Sequence, residues 1–194
     1  YKDEELLGEY VMSITKGPEL NQEYFEGLKI EMSKLVGERY SYRTEYGPFK
    51  GMKLLPQQFW GQGELANKIL GIYEQEVMQR IQEIKQQCNV STLVDVGGAD
   101  GFYVVGSLIA GLVDRAIVFE RSDLGKESIL QHARLNGVEN QIEILGEANT
   151  ISFHQLLNDM PQDSSSMLCL IDIEGFEYEL LSADMLDLLS RSHL

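Results

Sequence analysis

Hydrophobic positions along the chain change period near its middle. Over residues 1–38 they recur at helical spacing: Leu6, Leu7, Tyr10, Val11 and Ile14, then Tyr24, Phe25, Leu28, Ile30, Met32 and Leu35, with Gly17 and Pro18 between the sets. This predicts two amphipathic helices with a break between them. Their apolar faces must pack on something, either the main domain or a second chain. From 39 to 55 the pattern becomes Tyr40, Tyr42, Tyr46, Phe49 and Met52 among polar residues, with turn signals at Gly47, Pro48 and Gly51, which reads as an extended hairpin. Residues 56–63 form a loop carrying Trp60, and 64–87 are helix-compatible with a break at Gly71.

Beyond residue 90 short apolar runs alternate with helical stretches. Strands are predicted at 92–96, 115–120, 141–145 and 167–173, and helices at 102–112, 122–136, 151–160 and 176–189. Asn136 and Gly137 supply a helix stop, while Pro161 and the polar run QDSSS supply a loop. Strand and helix in alternation imply a mostly parallel α/β sheet of Rossmann-like type, with right-handed crossovers and helices on both faces. Each predicted strand finishes at or beside a carboxylate, namely Asp95, Glu120, Glu147 and Asp172. In open α/β sheets ligands bind at the carboxyl ends of the strands, so the four acids gather where a ligand would sit.

The stretch 93–103, LVDVGGADGFY, spells strand, tight turn and helix. Glycine suits such a turn because it accepts positive φ and keeps no side chain between ligand and backbone, and the helix behind it offers N–H groups at its first turn. A phosphate-cradling NTPase loop is excluded, since Gly125 and Lys126 are followed by Glu127 with no glycine five positions ahead. The dinucleotide fingerprint G-x-G-x-x-G fails in every register, because Ala99 and Phe102 stand where glycines are needed. A pyrophosphate would also meet Asp95, Asp100 and Glu120, which oppose what a helix N-terminus offers to an anion. A cationic ligand fits those acids, and the turn amides remain for a single carboxylate. In the plainer alternative the acids are solvated caps, with Asp100 an ordinary N-cap.

Composition narrows the partners. The 194 residues suit one α/β core with extra helical mass, and 31 acidic against 16 basic residues give a net charge of −15. Such a surface repels nucleic-acid phosphates and anionic lipid headgroups. No run approaches the ~20 apolar residues that span a bilayer, the charged opening lacks a signal-peptide pattern, and the missing initial Met reads as a fragment. Cys88 and Cys169 stand in no metal-ligand spacing, which suits a reducing, cytoplasmic compartment. His132, His154 and His193 show no zinc spacing, so no metal is expected.

The series Asp95, Gly97, Ala99, Gly101 is similar to the first motif of class I S-adenosylmethionine-dependent methyltransferases. Within that class, VDVGGADGFYVVG (94–106), FE (119–120), ARLNG (133–137) and above all IDIEGFEYELL (171–181) resemble the FkbM family. YGPFKGMKL (46–54) and LGIYEQEV (70–77) are similar to the lead-in of some members. The resemblance covers roughly residues 46–189; with the hydrophobic pattern upstream, the chain divides into an N-terminal helical and hairpin extension over 1–63 and a cofactor-binding methyltransferase domain over 64–194. That domain would be incomplete, since the class has seven strands and four are accounted for.

The resemblance also implies S-adenosylmethionine as cofactor, held by Asp95, Gly97, Gly98, Ala99, Asp100, Gly101, Glu120, Glu147, Ala148 and Asp172. Glu120 would accept both ribose hydroxyls, Asp95 would lie near the ammonium, Glu147 and Ala148 would border the adenine, and Asp172 would face the sulfonium. Trp60 either packs over the adenine or covers the core. Asp172 and Glu174 are the catalytic candidates, as a carboxylate pair able to take a hydroxyl proton, although Glu174 and Glu177 also suit the start of the next helix. Glu74 is a candidate to reach the pocket. The expected acceptor is a hydroxyl of a small molecule, sugar or glycan, with a homodimer formed through the N-terminal helices. Competing readings are a nicotinamide-dependent oxidoreductase and a non-catalytic binding module on the same fold.

Overall fold

Runs rich in Val, Ile and Leu without polar alternation belong to strands covered on both faces. In the computed structural model, which describes residues 22–159, 166–173, 175 and 177–181, they form β1 (Val90–Val96), β2 (Arg115–Phe119), β3 (Ile142–Leu145) and β4 (Ser166–Ile171). The four strands make one open sheet, all parallel, in the order β3-β2-β1-β4. The register sets Asp95 beside Val118 of β2 and Leu170 of β4.

Seven helices accompany the sheet among the described residues: α1 (Gln22–Arg39), α2 (Leu65–Leu70), α3 (Gln75–Gln87), α4 (Phe102–Ile109), α5 (Asp123–Asn136), α6 (Thr150–Asp159) and α7 (Glu177–Leu180). Leu93, Ala116 and Val118 share one core with Met78 and Ile81 of α3, Val105 of α4 and Ile129 of α5. Val94, Val96, Ile117 and Phe119, on the opposite face, pack with Phe153 of α6 and Leu180 of α7. From β1 the chain steps outward through α4 to β2 and through α5 to β3. It then returns by α6 to the far side of β1. Reversing direction moves the crossover helix to the other face and opens a crevice between β1 and β4 at their carboxyl ends.

The α/β fold expected from the alternation is therefore observed, with strand and helix ends shifted by up to three residues, apart from the helix expected over 176–189, which is observed over Glu177–Leu180. Gly71, at φ 68°, divides 64–87 into α2 and α3 as expected. α5 is capped at its start by Ser122, whose side chain accepts from the Gly125 N–H, and at its end by Gly137 in the left-handed region. The first expected helix, its break at Gly17 and Pro18, most of the QDSSS loop and 182–189 lie outside the described residues.

Two expectations upstream are modified. The 39–55 stretch has hairpin bonding, Thr44 N–H to Met52 O (2.9 Å) and Leu54 N–H to Tyr42 O (2.8 Å), but only one antiparallel bridge, Arg43 with Lys53. Positive φ at Ser41 and Tyr42 keeps longer strands from forming. Phe49, Met52 and Leu54 from this stretch are buried in the same core as α4. Gly106 of α4 makes room for Phe49, since a Cβ there would lie 2.3 Å from the phenyl ring. On α1, Ser33 and Gly37 face inward, with Ser33 Oγ bonded to Gly63 O (3.1 Å) and accepting from Ala66 N–H (3.2 Å). Tyr24, Phe25, Ile30, Met32 and Leu35 of that helix are exposed.

Candidate active site

The turn after β1 fits where it does because of one glycine. Gly97 has φ 100°, and a Cβ on it would fall 1.9 Å from the Asp172 carbonyl oxygen. The ends of β1 and β4 thus approach as closely as backbone allows, joined by the Asp172 N–H to Val96 O bond of 2.9 Å. Gly97 and Gly98 donate to Phe119 O at 2.9 and 3.2 Å, Gly101 donates to Gly98 O at 2.7 Å, and Ala99, at φ 47°, donates to Glu120 Oε2 at 3.0 Å. A left-handed alanine is strained and persists because that bond holds it.

Above the turn lies a cavity of about 380 Å³, within the range of small-molecule sites. Asp95, Gly97, Gly98, Ala99, Asp100, Glu120, Glu147, Ala148 and Asp172 all line it; Gly101, directly beneath, does not. The strand-end acids are therefore brought together as the topology predicts. Five carboxylates face two basic groups, Lys68 and Arg121, so the cavity favours positive charge.

The acids differ in environment. Asp95 is 2 % exposed and its carboxyl is pushed up to about 7, first by burial and then by the charges of Asp172, Asp100 and Glu120. Glu120 is nearly buried; its Oε1 accepts from Ser122 N–H at 2.7 Å while Oε2 holds Ala99. Each oxygen retains a further lone pair. Asp100 is not the N-cap of α4, a position that Gly101 holds; its Oδ1 accepts from Phe102 N–H at 3.2 Å and its Oδ2 from Lys68 Nζ at 2.5 Å, both side chains being buried. Its carbonyl oxygen accepts from His132 Nδ1 at 2.7 Å, and His132 Nε2 accepts from Leu55 N–H at 3.0 Å. That pair of bonds fixes a neutral tautomer, and burial holds the imidazole below its ordinary value against the opposing pull of Asp100.

Glu147 and Asp172 are exposed at the rim. Glu174 lies outside the described residues. Glu177 accepts from Ile173 N–H (3.0 Å) and Gly175 N–H (2.9 Å), bracing the bend after β4. Glu74 is not in the wall; it accepts from the hydroxyl of Tyr103, which is. Burial and Glu74 raise the Tyr103 and Tyr73 phenols above their ordinary range. Trp60, 54 % exposed, lines the mouth beside Phe59, so it does not cover the core. Burial pushes the Cys169 thiol up to about 12, the mark of an inert group.

Three further wall residues are Tyr73 and Tyr103, which lie within LGIYEQEV and VDVGGADGFYVVG but were given no role there, and Lys68, which lies outside every motif. Lys68 left one trace. In LANKIL it shares the inner side of α2 with Leu65 and Ile69, and a lysine in an apolar stripe calls for a buried partner.

No family model matches the chain, and no curated protein matches it. Among solved structures, it is similar to an O-methyltransferase from Bacillus cereus in complex with SAH, at 11% identity over 86% of this chain and 61% of that one, with a TM-score of 0.42. It is also similar to a protein described as a putative caffeoyl-CoA O-methyltransferase from Staphylococcus aureus, at 24% identity over 42% of this chain and 40% of that one, with a TM-score of 0.34. The match spans less than two thirds of either structure.

Proposed function

We propose that this chain is the cofactor-binding part of an S-adenosylmethionine-dependent methyltransferase acting on a hydroxyl of a small molecule or sugar, and that it resembles the FkbM family in doing so. One observation carries the reading: the carboxylates that end β1, β2 and β4, with Glu147 just past β3, converge on one cavity floored by Gly97, Gly98 and Ala99. A row of acids over a backbone floor suits a ligand that is cationic at one end and carries a diol. A pyrophosphate is disfavoured doubly, since the acids repel it and the amides of Gly97, Gly98, Ala99, Gly101 and Phe102 already donate within the protein.

The residues present fit such a ligand. Glu120 has lone pairs for two ribose hydroxyls, Glu147 and Ala148 border the space beside β3, and Asp95 supplies a buried acceptor for an ammonium. S-adenosylmethionine supplies an electrophilic methyl group on a sulfonium. Methyl transfer then needs alignment and exclusion of water, which Trp60, Phe59 and Tyr73 provide at the wall. Asp172, exposed at the rim of the cavity, would take the proton that the acceptor hydroxyl gives up on methylation. Glu174, two residues on, is the second proposed carboxylate. The proposal includes a second copy of the chain meeting the apolar residues exposed on α1.

Thermal-shift titration with S-adenosylhomocysteine and, separately, NAD tests the class. Stabilisation by the homocysteine compound supports it; stabilisation by NAD alone refutes it. Asp172→Asn should lower methyl transfer far more than affinity, and equal losses would reduce Asp172 to a ligand contact.

A further inference from the structure

If the cavity holds S-adenosylmethionine, its amino-acid carboxylate needs a donor, and the turn has few left. Gly97 and Gly98 spend their N–H groups on Phe119 O, Ala99 on Glu120, Gly101 on Gly98 O and Phe102 on Asp100. The sequence-based expectation that turn amides bind this group therefore meets amides already committed.

Lys68 offers what the turn lacks. Its side chain is 3 % exposed and lines the cavity, reaching the turn from α2, outside the sheet. The ammonium has three N–H donors and makes one hydrogen bond, to Asp100 Oδ2. The rings of Tyr73 and Phe102 flank it at 5.1 and 5.4 Å to their centroids. Lys68 lines the cavity together with Asp100, Tyr73 and Phe102, so an acceptor bound in that cavity is open to its remaining donors. A buried ammonium with unspent donors is costly unless an acceptor arrives. The other basic group of the wall, Arg121, is exposed.

Resting on the cofactor reading above, we infer that Lys68 binds the carboxylate of the cofactor's methionine portion. Asp100 then serves a definite purpose, holding Lys68 against the turn and keeping the ammonium from folding back onto its own helix. The two ends of the amino acid are read by opposite charges, Lys68 for the carboxylate and Asp95 for the ammonium. A nucleoside lacking the amino-acid portion gains nothing from either.

The test compares S-adenosylhomocysteine with 5′-methylthioadenosine, which keeps the adenosine and loses the amino acid. Dissociation constants are measured calorimetrically for the full chain, for Lys68→Arg and for Lys68→Met. Because Lys68→Met alone strands a buried carboxylate, a double variant, Lys68→Met with Asp100→Asn, removes that charge and keeps the fold testable. In both Met variants affinity for S-adenosylhomocysteine should fall roughly 10- to 100-fold, the range for a hydrogen bond to a charged group. Affinity for methylthioadenosine should change less than about threefold, and Lys68→Arg should retain part of the preference. Equal losses for the two ligands, or no loss for either, overturn the assignment to the carboxylate. If the unaltered chain binds neither nucleoside, the cofactor reading itself fails and takes this one with it.

Discussion

Replacing Asp95 with Asn tests whether the end of β1 is the buried acidic site described above. The two side chains are nearly isosteric, so the change removes a charge and leaves the packing. In the folded chain this carboxyl titrates near 7, against 3.8 for an ordinary aspartate. The gap corresponds to about 4 kcal/mol of burial and repulsion held against the ionised form. Between those values the folded state keeps a proton that the unfolded state has lost. Stability therefore declines as pH rises through this window and stays low above 7. Asn bears no such cost. Unfolding by urea, followed by circular dichroism at pH 5 and pH 8, should show the variant gaining on the parent by about 2.5 kcal/mol between the two conditions. Other titrating groups, His132 among them, largely cancel in that double difference. Parallel pH profiles for parent and variant would refute the reasoning. S-adenosylhomocysteine should also bind Asp95→Asn more weakly, because the ammonium loses its anion.

Three further substitutions probe the frame of the site. Gly97→Ala places a methyl 1.9 Å from a backbone oxygen at unfavourable φ, so urea midpoints should fall by the equivalent of about 3 kcal/mol or more; an unchanged midpoint would mean that β1 and β4 do not approach as described. Gly106→Ala should cost about 1–3 kcal/mol by forcing Phe49 aside. Phe49→Leu in the same chain should recover part of that loss, and purely additive losses would contradict the contact. Glu120→Ala should weaken S-adenosylhomocysteine binding about tenfold or more in a calorimetric titration, whereas an unchanged dissociation constant would remove Glu120 from the ribose position.

The sheet was legible because each strand is bounded by turn chemistry and carries an apolar run too short for a helix. The acids at the strand ends followed from topology once parallel pairing was inferred, and Asp95, Glu120, Glu147 and Asp172 do share a cavity. Less legible was how those acids are employed. Asp100, expected at the cofactor or, in the plainer alternative, as an N-cap, is the partner of a lysine 32 residues upstream, a contact that local sequence does not encode. The turn amides looked available because a glycine-rich turn before a helix usually exposes them; here Phe119 O at the end of β2 and the Glu120 side chain just after it occupy three. On α1 most of the apolar residues, Tyr24, Phe25, Ile30, Met32 and Leu35, are exposed, while Val36 packs on the core beside the buried Ser33 and Gly37. Hydrophobic pattern alone does not tell a face that meets the core from one that meets solvent or another chain.

A crystal structure of this chain grown with S-adenosylhomocysteine tests the central claim most directly. The ligand should lie along Gly97 to Ala99 with its ribose on Glu120, its adenine beside Ala148 and its carboxylate within hydrogen-bond reach of Lys68. The cavity above Gly97 left unfilled at saturating ligand, or a ligand bound away from the ends of β1 and β4, would contradict it.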